Sequence, residues 1–149
     1  MQANRRRDTG PELRIRKLLF ASGLRYRIDA PPLPRLNRRA DIVFRSAAVA
    51  VFVDGCFWHG CDDHYVAPRT NHDFWLGKIR ANQERDRNTD EVLTAHGWLV
   101  FRVWEHEEAG PAAARISVAV RARLPNSSDG LSKLGRVANP PHVLRARHV

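Results

Sequence analysis

Long apolar runs are missing from the 149-residue sequence: the longest, Ala47 to Val53, reaches about a third of the roughly 20 residues that a membrane-spanning helix needs. The arginine-rich start is not followed by the apolar stretch of a secretory signal. The expectation is a protein that neither spans a membrane nor is exported, and that works in the cytoplasm. Cysteine is scarce, with two residues against seven histidines. That excludes a disulfide scaffold and leaves buried thiols or a metal site. Internal repeats are also lacking. What is present, 43% hydrophobic and 28% charged residues, is an ordinary globular balance that supports one domain with a core and excludes disorder throughout.

The net charge of +9 is unevenly spread. Residues 1–27 carry eight basic side chains against Asp8 and Glu12, and residues 121–149 carry six against Asp129. The stretch between them is net acidic. A module that only neutralises phosphates has no need of an acidic centre, whereas an enzyme holding a divalent cation against a phosphate does. Charge alone leaves a solvated basic surface equally open.

The order of elements reads as a single mixed α/β domain. Thr9 and Glu12 form a capping box that opens a short helix running to Gly23. Leu24 to Asp29 alternates like an edge strand, and Ala30 to Pro34 is a loop. Ala40 to Phe44 and Val49 to Asp54 read as strands about a turn at Ser46 and Ala47, the second apolar enough to be buried on both faces. A loop from Gly55 to Thr70 precedes a helix capped by Asn71 and running to His96. From Arg80 to Glu91 its only apolar residue is Ala81, so its middle is expected to face away from a core. Trp98 to Trp104 reads as a strand and Pro111 to Leu124 as a closing amphipathic helix. The domain spans 1–125, with a basic arm over 1–8, and 126–149 reads as a flexible basic tail.

Several residues could carry chemistry. Cys56, Cys61 and His64 have C-x4-C-x2-H spacing in an irregular segment, which suits a structural zinc with His106 as fourth ligand; two buried thiols and surface histidines are the alternative. Asp41 and Asp54 mark strand ends, where two carboxylates could approach one another, and His59 follows a Phe57-Trp58 pair. Trp75, Lys78, Asn82, Arg85 and Asp86 share one helix face, which suits contact with nucleic acid or simply a solvated face of salt bridges.

The string Val51 to Cys61 (VFVDGCFWHGC), followed by Pro68-Arg69-Thr70-Asn71, Phe74-Trp75, Lys78-Ile79, Asn82, Arg85-Asp86, Gly97-Trp98 and Trp104-Glu105, resembles the very short patch repair (Vsr) DNA mismatch endonuclease family. The resemblance runs from Asp8 to about Leu124. It implies a restriction-endonuclease-like mixed sheet flanked by helices, and Mg²⁺-dependent nicking of one strand at a T:G mismatch left by deamination of 5-methylcytosine. By the same resemblance Asp41 is the metal-binding aspartate, His59 acts on the water or phosphate, and Asp86 and Glu12 complete the catalytic set. Phe57, Trp58 and Trp75 match aromatics wedged into the duplex, with Lys78, Asn82 and Arg85 as further DNA contacts, and Cys56, Cys61, His64 and His106 hold structural Zn²⁺. The implied substrate is double-stranded DNA carrying a T:G mismatch. The enzyme is expected to be monomeric, with a mismatch-repair protein as a candidate second partner.

Departures from the family pattern are local. Ala40-Asp41 stands where the family has Pro-Asp, and the loop from Leu33 to Arg39 is longer and more basic. Val53 replaces a metal-contacting threonine, so that its backbone carbonyl, or Asp54 beside it, would complete the Mg²⁺ site. His106 stands where many relatives have cysteine. Two rivals remain: a restriction-like nuclease without mismatch preference, which would not need the aromatic wedges, and a non-catalytic zinc-stabilised DNA-binding protein, which has no use for Asp41, Glu12 and Asp86 together.

Overall fold

The structure, a computed structural model, describes residues 7–125 and 143–145. Five strands of the described residues form one mixed sheet in the order β1 (Arg27–Ala30), β2 (Ala40–Phe44), β3 (Val49–Asp54), β4 (Leu99–Trp104) and β5 (Val143–Arg145). β1, β2 and β3 are antiparallel neighbours, and β3, β4 and β5 run parallel. Among the described residues four helices accompany them: α1 (Gly10–Ala21), α2 (Cys56–His59), α3 (His72–Ala95) and α4 (Ala109–Arg123). Among the described residues no helix is long and apolar enough to cross a membrane.

The two-residue period of the strands sorts the core into two layers. Ile42, Phe44, Val49, Val51, Phe101 and Val103 pack with Ile15 and Leu19 of α1 and Ile116 and Val120 of α4. On the opposite face Val43, Ala50, Phe52 and Val100 pack with Leu93 of α3 and Trp98. β3 is buried along nearly its whole length, in keeping with its continuous apolar run. α1 ends as its sequence requires, with Gly23 at φ +84°, where a glycine meets no steric penalty.

The sequence expectations need correcting at four places. The tail expected over 126–149 contributes Val143–Arg145 as β5, paired with Val100–Arg102; the rest of it, and residues 1–6 of the basic arm, lie outside the described residues. Backbone pairing on an open sheet edge needs no side-chain periodicity, so no pattern announced this strand. Within the segment read as loop, Cys56–His59 makes one helical turn. Asn71 precedes α3 in the left-handed conformation, and its side chain makes no capping hydrogen bond. The middle of α3, finally, does face the sheet, with Thr89 and Asp90 buried; charge rather than apolar surface holds it there.

Gly60 ends α2 at φ +63°, against α3. A Cβ there would lie 2.9 Å from both Ile79 Cγ2 and Gln83 Nε2, whereas at Gly97, with φ +80°, it would meet nothing within 4 Å. Both Gly→Ala variants carry the left-handed cost of about 1–2 kcal/mol, but only Gly60→Ala adds a steric contact. Denaturant unfolding should therefore show Gly60→Ala as the less stable of the two, with the difference reporting how closely α2 is seated on α3.

Candidate active site

β2 and β3 hold register from Phe44 opposite Val49 to Ile42 opposite Val51. One step further, the Val53 N–H donates to Asp41 Oδ2 at 2.6 Å, a side chain standing in for a strand carbonyl. The carboxyl group of Asp41 is thereby fixed at the wall of a cavity of about 790 Å³ that Glu12, Val53, Asp54, Trp58, His59 and Asp86 also line. Burial pushes Asp41 up to about 7; the Val53 N–H opposes the shift, while Glu12 and Asp54 add to it. A buried carboxyl among other carboxylates is a group that a bound cation would return to its charged form.

Glu12 reaches the cavity from the first turn of α1, and one of its oxygens is already used. Its Oε2 accepts from the Asp8 N–H and from Arg16 Nη2, both at 2.9 Å. Thr9 Oγ1 accepts from the Glu12 N–H at 3.5 Å, so the capping box forms with Asp8 in place of Thr9 as the reciprocal donor.

His59 closes α2, and its Nδ1 lies 2.5 Å from Asp86 Oδ2 on α3. Its Nε2 is 4.0 Å from Asp54 Oδ1. Burial disfavours the charged imidazole, but the hydrogen bond to Asp86 and the charges of Asp54 and Asp86 outweigh it, so His59 holds its proton more tightly than an ordinary histidine. Asp54 does not point its charge at Asp41 alone: its Oδ1 accepts from Arg102 Nη1 at 3.0 Å. Arg102 also binds Asp90 through Nε and Nη2, at 2.9 and 2.8 Å.

The two cysteines meet the two expected histidines. Cys56 Sγ lies 3.1 Å from His106 Nδ1, and Cys61 Sγ lies 3.7 Å from both His106 Nδ1 and His64 Nδ1. The four ligand atoms fall within 4.8 Å of one another. Around a tetrahedral zinc, ligand atoms are separated by about 3.3–3.8 Å, from bond lengths near 2.0–2.3 Å. Both thiols are unbridged and buried. Burial pushes Cys56 up to about 12, raised further by the Cys61 thiol and Glu105, so a thiolate there requires a cation. The donor set and its compactness fit zinc.

Trp58 connects the cavity wall to a cluster of aromatic residues. Phe57, Trp58 and Trp75 meet edge to face, with ring centroids 5.2, 5.5 and 5.9 Å apart. Trp58 lines the cavity as well and keeps 38% of its surface exposed. Lys78 lies over the Phe74 ring and Arg85 is exposed; neither lines the cavity. Asn82 has a task inside the protein, its Nδ2 donating to the Trp58 carbonyl at 2.8 Å.

Sequence reasoning missed Arg102, Asp90 and Gln83, and gave Glu105, part of the Trp104-Glu105 motif, no role in the site. Gln83 donates to the His59 carbonyl at 3.0 Å, and Glu105 Oε1 accepts from the Cys56 N–H at 2.8 Å. The signal for Arg102 was available: a charge in the middle of the otherwise apolar strand LVFRVW needs buried partners. Because the fold raises His59, its stabilising effect is complete below the ordinary histidine value of about 6.5 and is lost as pH rises through the folded value. Asp86→Asn removes the acceptor charge, so the His59 ring should titrate at lower pH by NMR, and stability should fall less steeply over that window. An unchanged midpoint in a folded variant would show that Asp86 is not the cause.

Residues 1–65 match the family described as DNA mismatch endonuclease Vsr. The type II nicking enzyme V.NaeI of Lentzea aerocolonigenes is 52% identical over 120 residues, covering 78% of this chain and 71% of the relative. V.XorIIP of Xanthomonas oryzae pv. oryzae, also a type II nicking enzyme, is 40% identical over 120 residues, or 78% and 85% of the two chains. The DNA mismatch endonuclease Vsr of Escherichia coli is 40% identical over 106 residues, or 70% and 66%. With the matched segment running from α1 through α2, and relatives of this identity extending over most of the chain, the protein belongs to the Vsr family of DNA endonucleases.

Proposed function

We propose that this chain nicks one strand of double-stranded DNA at T:G mismatches, by Mg²⁺-dependent hydrolysis on a restriction-endonuclease-like core. The observation that carries the reading is the cavity itself. Asp41, Glu12, His59 and Asp86 converge there from β2, α1, α2 and α3, and Trp58, itself exposed, belongs both to that wall and to the half-buried aromatic cluster. On this reading the nuclease centre and the surface that inserts between bases are contiguous. A mismatched step is weakly stacked and opens at a cost of only a few kcal/mol, which is what such rings would exploit.

Asp41 would hold Mg²⁺ together with the Val53 carbonyl. Bound there, the ion would polarise the scissile phosphate and lower the pKa of water. Asp54 has Oδ1 on Arg102 and is the weaker candidate of the two alternatives. With Nδ1 directed to Asp86, neutral His59 offers Nε2 as the proton acceptor from water; protonated, the same ring supports phosphate charge. Asp86 fixes the tautomer and the ring plane. Hydrolysis would leave a 3′-hydroxyl and a 5′-phosphate. Cys56, Cys61, His64 and His106 would hold a structural Zn²⁺ that pins α2 to the end of β4, and the protein would act as a monomer.

A nicking assay on T:G-mismatched and fully paired duplexes, with and without Mg²⁺, tests the reading against its rivals. Cleavage of the mismatched duplex alone, dependent on Mg²⁺, is the expected result; equal cleavage of both indicates an unselective nuclease, and binding without cleavage a non-catalytic module. Asp41→Asn should lose nicking by at least about a hundredfold, the scale of removing a group that stabilises transition-state charge, while duplex binding stays intact or strengthens. Metal analysis should give one zinc per chain, and chelation should lower the thermal midpoint. A folded protein purified without zinc would refute the zinc assignment.

A further inference from the structure

Arg102 lies at the centre of the acidic cluster, buried, with all three guanidinium nitrogens already engaged. Its Nε binds Asp90 Oδ1 at 2.9 Å and Nη2 binds the same carboxylate at 2.8 Å, with the Asp86 carbonyl at 3.4 Å from Nη2. Nη1 lies 3.0 Å from Asp54 Oδ1 and 3.4 Å from Asp86 Oδ1. Each of the three guanidinium nitrogens thus makes at least one hydrogen bond, and Nη1 adds an ion pair with Asp86. Its carbon sits 4.2 Å above the Phe52 ring, and the residue is 3% exposed. It therefore lines the cavity without being free to grip a phosphate.

The carboxylates it bridges are ones that could otherwise hold metal. Asp54, His59 and Asp86 each present a ligand atom within 4.8 Å of the others. We propose that Arg102 is the built-in cation of this group: its Nη1 bridges Asp54 and Asp86 in place of a second divalent ion, and by holding Asp86 it positions His59. The inference rests on the reading of Asp41 as the site of the divalent cation and adds that the resting cavity takes only one. Mg²⁺ needs near-octahedral oxygen ligands at about 2.0–2.1 Å, which cannot be met at two carboxylates already occupied by a guanidinium without bringing two cations together. Expelling Arg102 would leave Asp90 buried without its partner. A cation tethered to β4 also keeps Asp86 on His59 whatever the Mg²⁺ concentration, a duty a diffusible ion would share with its own binding equilibrium.

The test is Mn²⁺ binding to the zinc-loaded full chain without DNA, followed by calorimetry and by electron paramagnetic resonance. Wild type should bind one Mn²⁺, and Asp54→Asn should still bind one with affinity within a few-fold. Arg102→Lys, which keeps a single positive charge, should bind one, and Arg102→Met, which frees the carboxylates, should bind two. Two ions on wild type, or loss of an ion in Asp54→Asn, would overturn the proposal even if Arg102→Met fails to fold. A folded Arg102→Met that binds only one would overturn it too. Asp41→Asn serves a separate purpose: undiminished Mn²⁺ binding by that variant would refute the placement of the divalent cation, while the count in the other variants would still decide the role of Arg102.

Discussion

A guanidinium removed from water among three aspartates holds α3 to the sheet. Arg102 projects from β4 on the same face as Phe52 and Asp54, because alternate strand residues share a face and Arg102 stands opposite Phe52 in register. α3 lies over that face with Leu93 packed into the apolar layer, but its middle offers Asp86, Thr89 and Asp90 instead of hydrophobic side chains. Burying ions costs several kcal/mol each, so such an interface persists only where every charge is paired and every donor is used. Here the guanidinium meets five acceptor positions. Removing it alone would leave buried carboxylates facing one another, a loss on the order of 3–5 kcal/mol. The same contacts that attach the helix also set the position of Asp86, and so of the imidazole that Asp86 holds. Fold stability and site geometry share one set of bonds.

α2 shows the complementary problem, a single turn too short to be stable on its own. It is secured at both ends. At the start, the Cys56 N–H donates to Glu105 and its thiol joins the Cys61, His64 and His106 group. At the end, Gly60 lets the chain approach α3 more closely than any side chain would allow, and Asn82 and Gln83 take the carbonyls of Trp58 and His59. Trp104 stacks beside His106 and closes the thiol pair in a small apolar cluster. The acidic residues of the loop beyond it, Asp62 and Asp63, are exposed.

How much of this the sequence disclosed depended on whether a feature obeys a local rule. The helix start at Thr9, the stop at Gly23, the buried strand Val49–Asp54 and the order of elements follow from capping, backbone freedom and apolar period, and the structure has them all. The cysteine and histidine spacing brought His106 to the cluster across some fifty residues of chain. Strand β5 left no trace because edge pairing is made by backbone, and Asn71 misled because a capping side chain needs an extended backbone where this one is left-handed. Asp54 was legible as a strand-end carboxylate but not as a partner of Arg102, since the pairing joins two strands 48 residues apart in sequence. The polar middle of α3 lacks the apolar period of a core-facing helix, yet charge on both sides of the interface makes it part of one.

The arrangement also bears on how recognition and chemistry could be joined in a mismatch enzyme. Trp58 and His59 are consecutive residues in one turn, so they cannot be placed independently: one ring enters the aromatic cluster and the other the acidic cavity. Their carbonyls are held by neighbouring residues of α3, Asn82 and Gln83, and that helix also supplies Trp75 to the first ring and Asp86 to the second. Any displacement of the aromatic cluster against a duplex would therefore load the same short turn that carries the histidine. A loop closed only by solvent would absorb such a load, but α2 is pinned by the thiol group on one side and by the Gly60 contact on the other. On the proposed reading, pre-organisation of the hydrolytic group and rigidity of the base-contacting rings are one requirement, since a misplacement of about 1 Å at a reacting group can cost on the order of a hundredfold in rate.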